Sequence, residues 1–175
     1  MELRFAPPDL RRMDELRCEA AALPFFAEER PLRGALGLLD WRLRGYVSRL
    51  RQSGRVTGAR GETLLLPTPR RTSFDKLFLF GLGARAAFDE ADGEDEAARM
   101  LATLEKARIR VAAFTLPGRS VDALAPDVAM AGFLRAAASA VEIDEVVILE
   151  GHDAQRAMEP VIERARRRAR AVDAV

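Results

Sequence analysis

Histidine, cysteine, tryptophan and tyrosine occur once each in the 175 residues, and that scarcity removes several kinds of chemistry at the outset. The lone Cys18 cannot close an internal disulfide. One His with one distant Cys falls short of the three or four ligands that a closed zinc site gathers, so no metal site is expected. Lysine is almost missing: Lys76 and Lys106 are the only two among 28 basic residues, a bias read as G- and C-rich codon usage rather than a demand for bidentate recognition. Net charge is missing too. Lys+Arg 28 against Asp+Glu 27 leaves +1, and no global field calls for nucleic acid, a membrane surface or an acidic substrate. No run reaches the roughly 20 apolar residues that span a bilayer. The start "MELRFAPPDL" lacks the basic residues and apolar core of a secretion signal. A cytoplasmic location with no membrane partner is expected.

What is present is apolar patterning: 49% of the residues are hydrophobic, enough for a single domain over residues 1–175. Strands are predicted at "ELRFA", closed by Pro7 and Pro8, and within "CEAAALPFF", where Pro24 argues for an edge position or a bend near the strand's end. Others are predicted at "TLLLP", "KLFLFGLG", "IRVAAFTLPG" and "DEVVILEG". A short helix follows Asp9 as its cap. One continuous helix is predicted through "LLDWRLRGYVSRLRQSG", with Leu39, Leu43, Tyr46, Val47 and Leu50 on its apolar face, Gly45 packed closely in its middle and Gly54 as its stop.

"DEADGEDEAARMLATLEKARIR" predicts a helix with Met100, Leu101, Leu104 and Ala107 inward, acids first and bases last, which suits the helix dipole. "PDVAMAGFLRAAASA" predicts another, capped by Asp127, with Met130, Phe133, Leu134 and Ala137 inward. The last, through "MEPVIERARRRARAV", has Met158, Val161, Ile162, Ala165, Ala169 and Val172 as its stripe and a start or kink at Pro160. Strands alternating with helices imply an α/β fold, a mixed and mostly parallel sheet covered on both faces.

Catalytic candidates are few. Cys18 reads as a small buried side chain, and none of Ser48, Ser53, Ser73, Ser120 and Ser139 stands in a nucleophile elbow. "DEADGEDE" reads as a loop and helix start rather than a two-metal site, so no catalytic or metal-binding residue is assigned. The glycines of "FLFGLG" match neither a Walker loop nor G-x-G-x-x-G, and turn geometry is the preferred reading. The alternative is a ligand site at the strand ends, with Gly81 and Gly83 offering N–H groups to an anion and His152, just after a strand, reaching the same place. "RARRRAR" is the densest basic cluster, and Arg164, Arg166, Arg167, Arg168 and Arg170 could meet phosphates. Lacking interleaved aromatics, it reads first as a solvated face.

The stretch "RPLRGALGLLDWRLRGYVSRLRQSGRVTGARGETLLLPTPRR", with "KLFLFGLG" after it, resembles the N-terminal domain of the M17 leucyl aminopeptidases. The resemblance is carried by Asp40 and its helix, by Gly54, Gly58, Gly61 and Glu62, by Leu64 to Leu66, and by Leu79 to Gly83; the order of elements extends it from about residue 18 to the C-terminus. It implies a three-layer α/β/α, macro-domain-like fold and a part in building a hexamer. The family's catalytic domain, with its two metal ions and "NTDAEGR" motif, has no counterpart here, so no catalytic residue, cofactor or enzymatic activity is carried over.

The resemblance implies a non-catalytic stand-alone module for assembly or regulation, whose partner is itself or a full-length M17 aminopeptidase. The alternative is a macro-like module binding a nucleotide or ADP-ribose-type ligand. A weaker one is DNA binding through Arg164 to Arg170, since some family members bind DNA; nucleic acid is not the expected partner.

Overall fold

The computed structural model describes residues 1–68 and 71–172, so that residues 69–70, in the polar loop between two predicted strands, residues 173–175 and the side chain of Val172 lie outside it. The chain runs β1 (Glu2–Ala6), α1 (Leu10–Glu15), β2 (Ala20–Phe25), α2 (Gly34–Arg42), α3 (Tyr46–Gln52), β3 (Thr63–Pro67), β4 (Lys76–Gly81), α4 (Glu90–Lys106), β5 (Val111–Phe114), α5 (Pro126–Ala137), β6 (Glu145–Leu149) and α6 (His152–Val172). The six strands form one sheet in the order β1-β6-β5-β2-β4-β3. All neighbours are parallel except β3, which returns antiparallel along β4.

Parallel strands need helical crossovers, and those helices cover the two faces. On one face α4, α5 and α6 bury Met100, Leu104, Met130, Phe133 and Met158 over Phe78, Phe80, Phe114 and Ile148. On the other, α1, α2 and α3 bury Met13, Leu36, Leu39 and Val47 over Leu23, Phe25, Leu77 and Leu79. The middle of the sheet is lined with alanine: Ala20, Ala21, Ala22, Ala112 and Ala113 have no exposed surface. The result is the three-layer α/β/α arrangement that the family resemblance implies.

Four local expectations need correction. The helix predicted through residues 38–54 is two helices. Arg44 (φ 56) and Gly45 (φ 72) turn left-handed between α2 and α3, and Gly45 supplies a turn conformation, not a helix-packing notch. The break is held by Asp40, whose carboxylate accepts the Val47 N–H at 2.7 Å and the Ser48 N–H at 3.3 Å, capping α3 from the helix before it. The continuous pattern survived because Leu39, Leu43 and Val47 are all buried across the break, while Tyr46 is exposed.

Pro24 lies in an interior strand, so the edge position is the part corrected; it is the penultimate residue of β2. The Ala22 carbonyl accepts from Thr115 on the β5 side, and the Phe25 carbonyl accepts from Leu82 on the β4 side. By alternation Pro24 faces β5, past the Ala22–Phe114 pair where that ladder ends. Its missing N–H therefore has no bond to lose.

Asp127 is not a cap: Ala125 holds that position, Pro126 opens α5, and Asp127 sits in the first turn. Pro160 does not start α6, which begins at His152 and continues through residue 160, so of a start or a kink the start is the one corrected. Met158 and Ile162 on either side are buried, and Pro160 itself is exposed.

Other expectations match the structure. Asp9 accepts the Arg12 N–H at 2.9 Å as the α1 cap. Gly54 (φ 73) ends α3, and α4 opens on a capping box of Asp89 and Asp92.

Candidate functional site

Because β1, β2, β4, β5 and β6 run the same way, their C-terminal ends share one edge of the sheet, the usual place for ligands of open α/β sheets. Here the chain's own side chains bridge that edge. Glu29, buried after β2, accepts the Ser120 hydroxyl at 3.0 Å and the N–H groups of Phe26 and Arg33 at 3.2 and 2.9 Å. Arg119, past β5, reaches Glu150, past β6, at 2.9 Å and also donates to the Leu124 carbonyl at 2.7 Å. Phe26 meets Phe88 edge to face with centroids 5.0 Å apart, and a Cβ on Gly118 would press on Phe88 and Leu124.

Arg51 closes the α3 side by donating to the carbonyls of Phe26 and Ala27 at 3.3 and 2.8 Å while lying over the Phe25 ring. Burial first, and then Arg30, lowers its pKa. The buried Thr115 hydroxyl, just beyond β5, has no partner among the described residues.

Gly81 and Gly83 belong to the packing of this edge. Their N–H groups donate to the carbonyls of Glu62 (2.9 Å) and Gly58 (2.8 Å), and a side chain at 81 would run into the Ala59 carbonyl. Gly83 also has φ 78. The Gly-rich turn they touch is tied by Glu62, whose carboxylate takes the N–H of Gly58 at 2.6 Å and that of Thr57 at 3.0 Å. His152 stands exposed at the start of α6, with β5 and β2 between β6 and β4; three strand spacings, roughly 14 Å, separate it from the glycines. The three residues are not brought together.

The α6 arginines do not form one surface. Arg164 and Arg168 flank a groove of about 580 Å³ between α5 and α6, with Arg135 opposite and Leu134 and Val161 in its floor. Arg166 pairs with Glu163 at 3.2 Å, and Arg167 and Arg170 are exposed. Among the described residues no three His, Cys, Asp or Glu side chains converge as a metal would require, and no helix is long and apolar enough to cross a membrane.

A second concentration of groups lies at the other end of the sheet, where the α2–α3 turn meets the loop between β3 and β4. Trp41 is 71% exposed and Tyr46 45% exposed. The sequence reading missed this corner, having counted Tyr46 as core. The available signal was that Trp41 falls outside the Leu39, Leu43 and Val47 stripe.

The family model described as the cytosol aminopeptidase family, N-terminal domain, matches residues 22–144. The chain belongs to this family. The match takes in most of β2 through α5, the Gly-rich turn, and the Glu29–Ser120 and Phe26–Phe88 contacts, while Glu150 lies beyond it. As a member it is similar to two proteins named "Probable cytosol aminopeptidase". One is from Burkholderia orbicola (strain MC0-3), 30% identical over 100 residues, 57% of this chain and 20% of that protein. The other is from Burkholderia multivorans (strain ATCC 17616 / 249), 30% identical over 95 residues, 54% of this chain and 19% of that one. The matched part spans about a fifth of these relatives' length.

Among solved structures, a tomato leucine aminopeptidase variant superposes with a TM-score of 0.64 at 15% identity, over 94% of this chain and 36% of that one. A Trypanosoma brucei macrodomain superposes with a TM-score of 0.68 at 14% identity, over 91% and 65%. At such identities these likenesses establish the macro-like fold of this N-terminal domain and nothing more.

Proposed function

We propose that this chain is a non-catalytic assembly or regulatory module of the cytoplasm, acting on copies of itself or on a full-length aminopeptidase of its family. The supporting observation is the bridged strand edge. Where a macro-like crevice would admit a ligand, Glu29–Ser120, Arg119–Glu150 and Phe26–Phe88 join the strand ends to one another. A fold that spends its ligand edge on internal contacts has its outer surfaces left for function.

Light scattering tests the reading on the purified chain alone and mixed with a full-length M17 aminopeptidase from the same source. A trimer, hexamer or mixed complex is the expected result. A monomer indifferent to the enzyme overturns it, as does peptide hydrolysis by the pure chain with added manganese or zinc.

A second reading, a module for a nucleotide or ADP-ribose-type ligand, has one observation in its favour: the unpartnered Thr115 hydroxyl buried at the end of β5. Calorimetry with ADP-ribose and common nucleotides decides it, and a flat titration removes it.

A further inference from the structure

Three hollows adjoin at the α2–α3 corner, and they share their walls. Trp41 lines an open cleft of about 630 Å³ together with Arg42 and Arg44. Tyr46 lines one of about 490 Å³ together with Arg71. Between them lies a hollow of about 330 Å³ lined by Arg42, Arg44 and Arg71. Two exposed aromatic rings thus stand on either side of a nest of guanidinium groups.

The corner is built, not incidental. Arg44 is held in its left-handed conformation (φ 56) while its carbonyl accepts from the Arg49 guanidinium, and Arg42 is anchored on Asp14 at 2.7 Å. Asp40, the acid among the lining residues, is already engaged by Val47 and Ser48. Three arginines, Arg42, Arg44 and Arg71, line the inner hollow, and of these Arg42 pairs with Asp14.

We propose that this corner binds single-stranded nucleic acid, with a phosphate in the arginine hollow and unpaired bases on the faces of Trp41 and Tyr46. Guanidinium forks match phosphate oxygens, and aromatic rings accept any base face that is not already stacked in a duplex. Trp, Tyr and Arg also mark protein interfaces, and what favours a phosphate here is the hollow between the rings, lined by three arginines. The proposal does not depend on the assembly reading and differs from the DNA reading of α6 in both place and substrate.

The experiment follows the emission of Trp41, the chain's only tryptophan. The full chain is titrated with a dodecamer of deoxythymidine, the matching duplex, and poly-glutamate. Single strands are expected to quench the emission. Their affinity should fall with salt at a log–log slope of about −0.7, as one phosphate held in the hollow requires.

Arg44→Glu with Arg71→Glu, both exposed, should lose at least tenfold in affinity with an unchanged circular dichroism spectrum. Trp41→Ala should lose about fivefold or more when labelled oligonucleotide is followed by anisotropy. Arg164→Glu with Arg168→Glu should bind as the parent does. Absence of quenching, equal binding of duplex or poly-glutamate, or a loss that follows the α6 pair instead of the corner pair each overturns the proposal.

Discussion

Cys18 stands just before β2 with its thiol buried, and burial, followed by the nearby Glu145, pushes its pKa from 9.0 to about 11. The group is neutral at physiological pH and poorly nucleophilic, in keeping with its reading as a small core side chain. The shift has a sign that can be measured. Below pH 9 both folded and unfolded chains keep the proton, and the thiol adds no pH dependence. Between 9 and about 11 the unfolded chain loses the proton and the folded chain keeps it, so stability falls as pH rises. Urea denaturation at pH 8, 9.5 and 10.5 should show this fall in the parent and a shallower one in Cys18→Ala. Parallel slopes for the two proteins would assign the fall to other groups.

The turn between α2 and α3 makes a sharper prediction at the level of elements. Removing the Asp40 carboxylate leaves the Val47 and Ser48 N–H groups without their acceptor at the start of a seven-residue helix. Asp40→Ala should cost about 1–2 kcal/mol, read as a lower denaturation midpoint at an unchanged slope in urea. A midpoint within error of the parent would show that water replaces the cap. In α6 the opposite is expected. Pro160 is exposed inside a 21-residue helix, where proline is about 3 kcal/mol worse than alanine. Pro160→Ala should therefore raise Tm by several degrees, at about 2–4 °C per kcal/mol for a chain of this size. An unchanged Tm would mean that the helix already accommodates the ring without loss.

Across the whole molecule, the elements that a linear pattern could carry were the legible ones. Apolar runs of four to six residues became strands, Gly54 and Asp9 became helix ends, and the Gly-rich block pointed to the family. What stayed hidden depended on neighbours. Whether Pro24 loses a bond is decided by where β5 ends, and nothing within "CEAAALPFF" records that. The break at Gly45 preserved the facing of Leu39, Leu43 and Val47, so its periodicity could not reveal it. Of the candidate positions, Gly83 was legible as a turn glycine, whereas Gly81 is the last residue of β4, where the Ala59 carbonyl leaves no room for a side chain. The α2–α3 corner was not, because Arg44 and Tyr46 share hollows with Arg71 only through the hairpin that carries β3 beside β4.

The helices on the two faces differ in length: 17, 12 and 21 residues for α4, α5 and α6 against six, nine and seven for α1, α2 and α3. Short helices hold few internal hydrogen bonds beyond their frayed ends, so the two layers should not open together. In native-state deuterium exchange, amides of the short-helix layer should report sub-global opening, while those of α4 and α6 wait for complete unfolding. The arginine corner lies on the layer that opens first. An oligonucleotide held there would leave a protection footprint over residues 34–52, with the amides of the opposite layer exchanging as before.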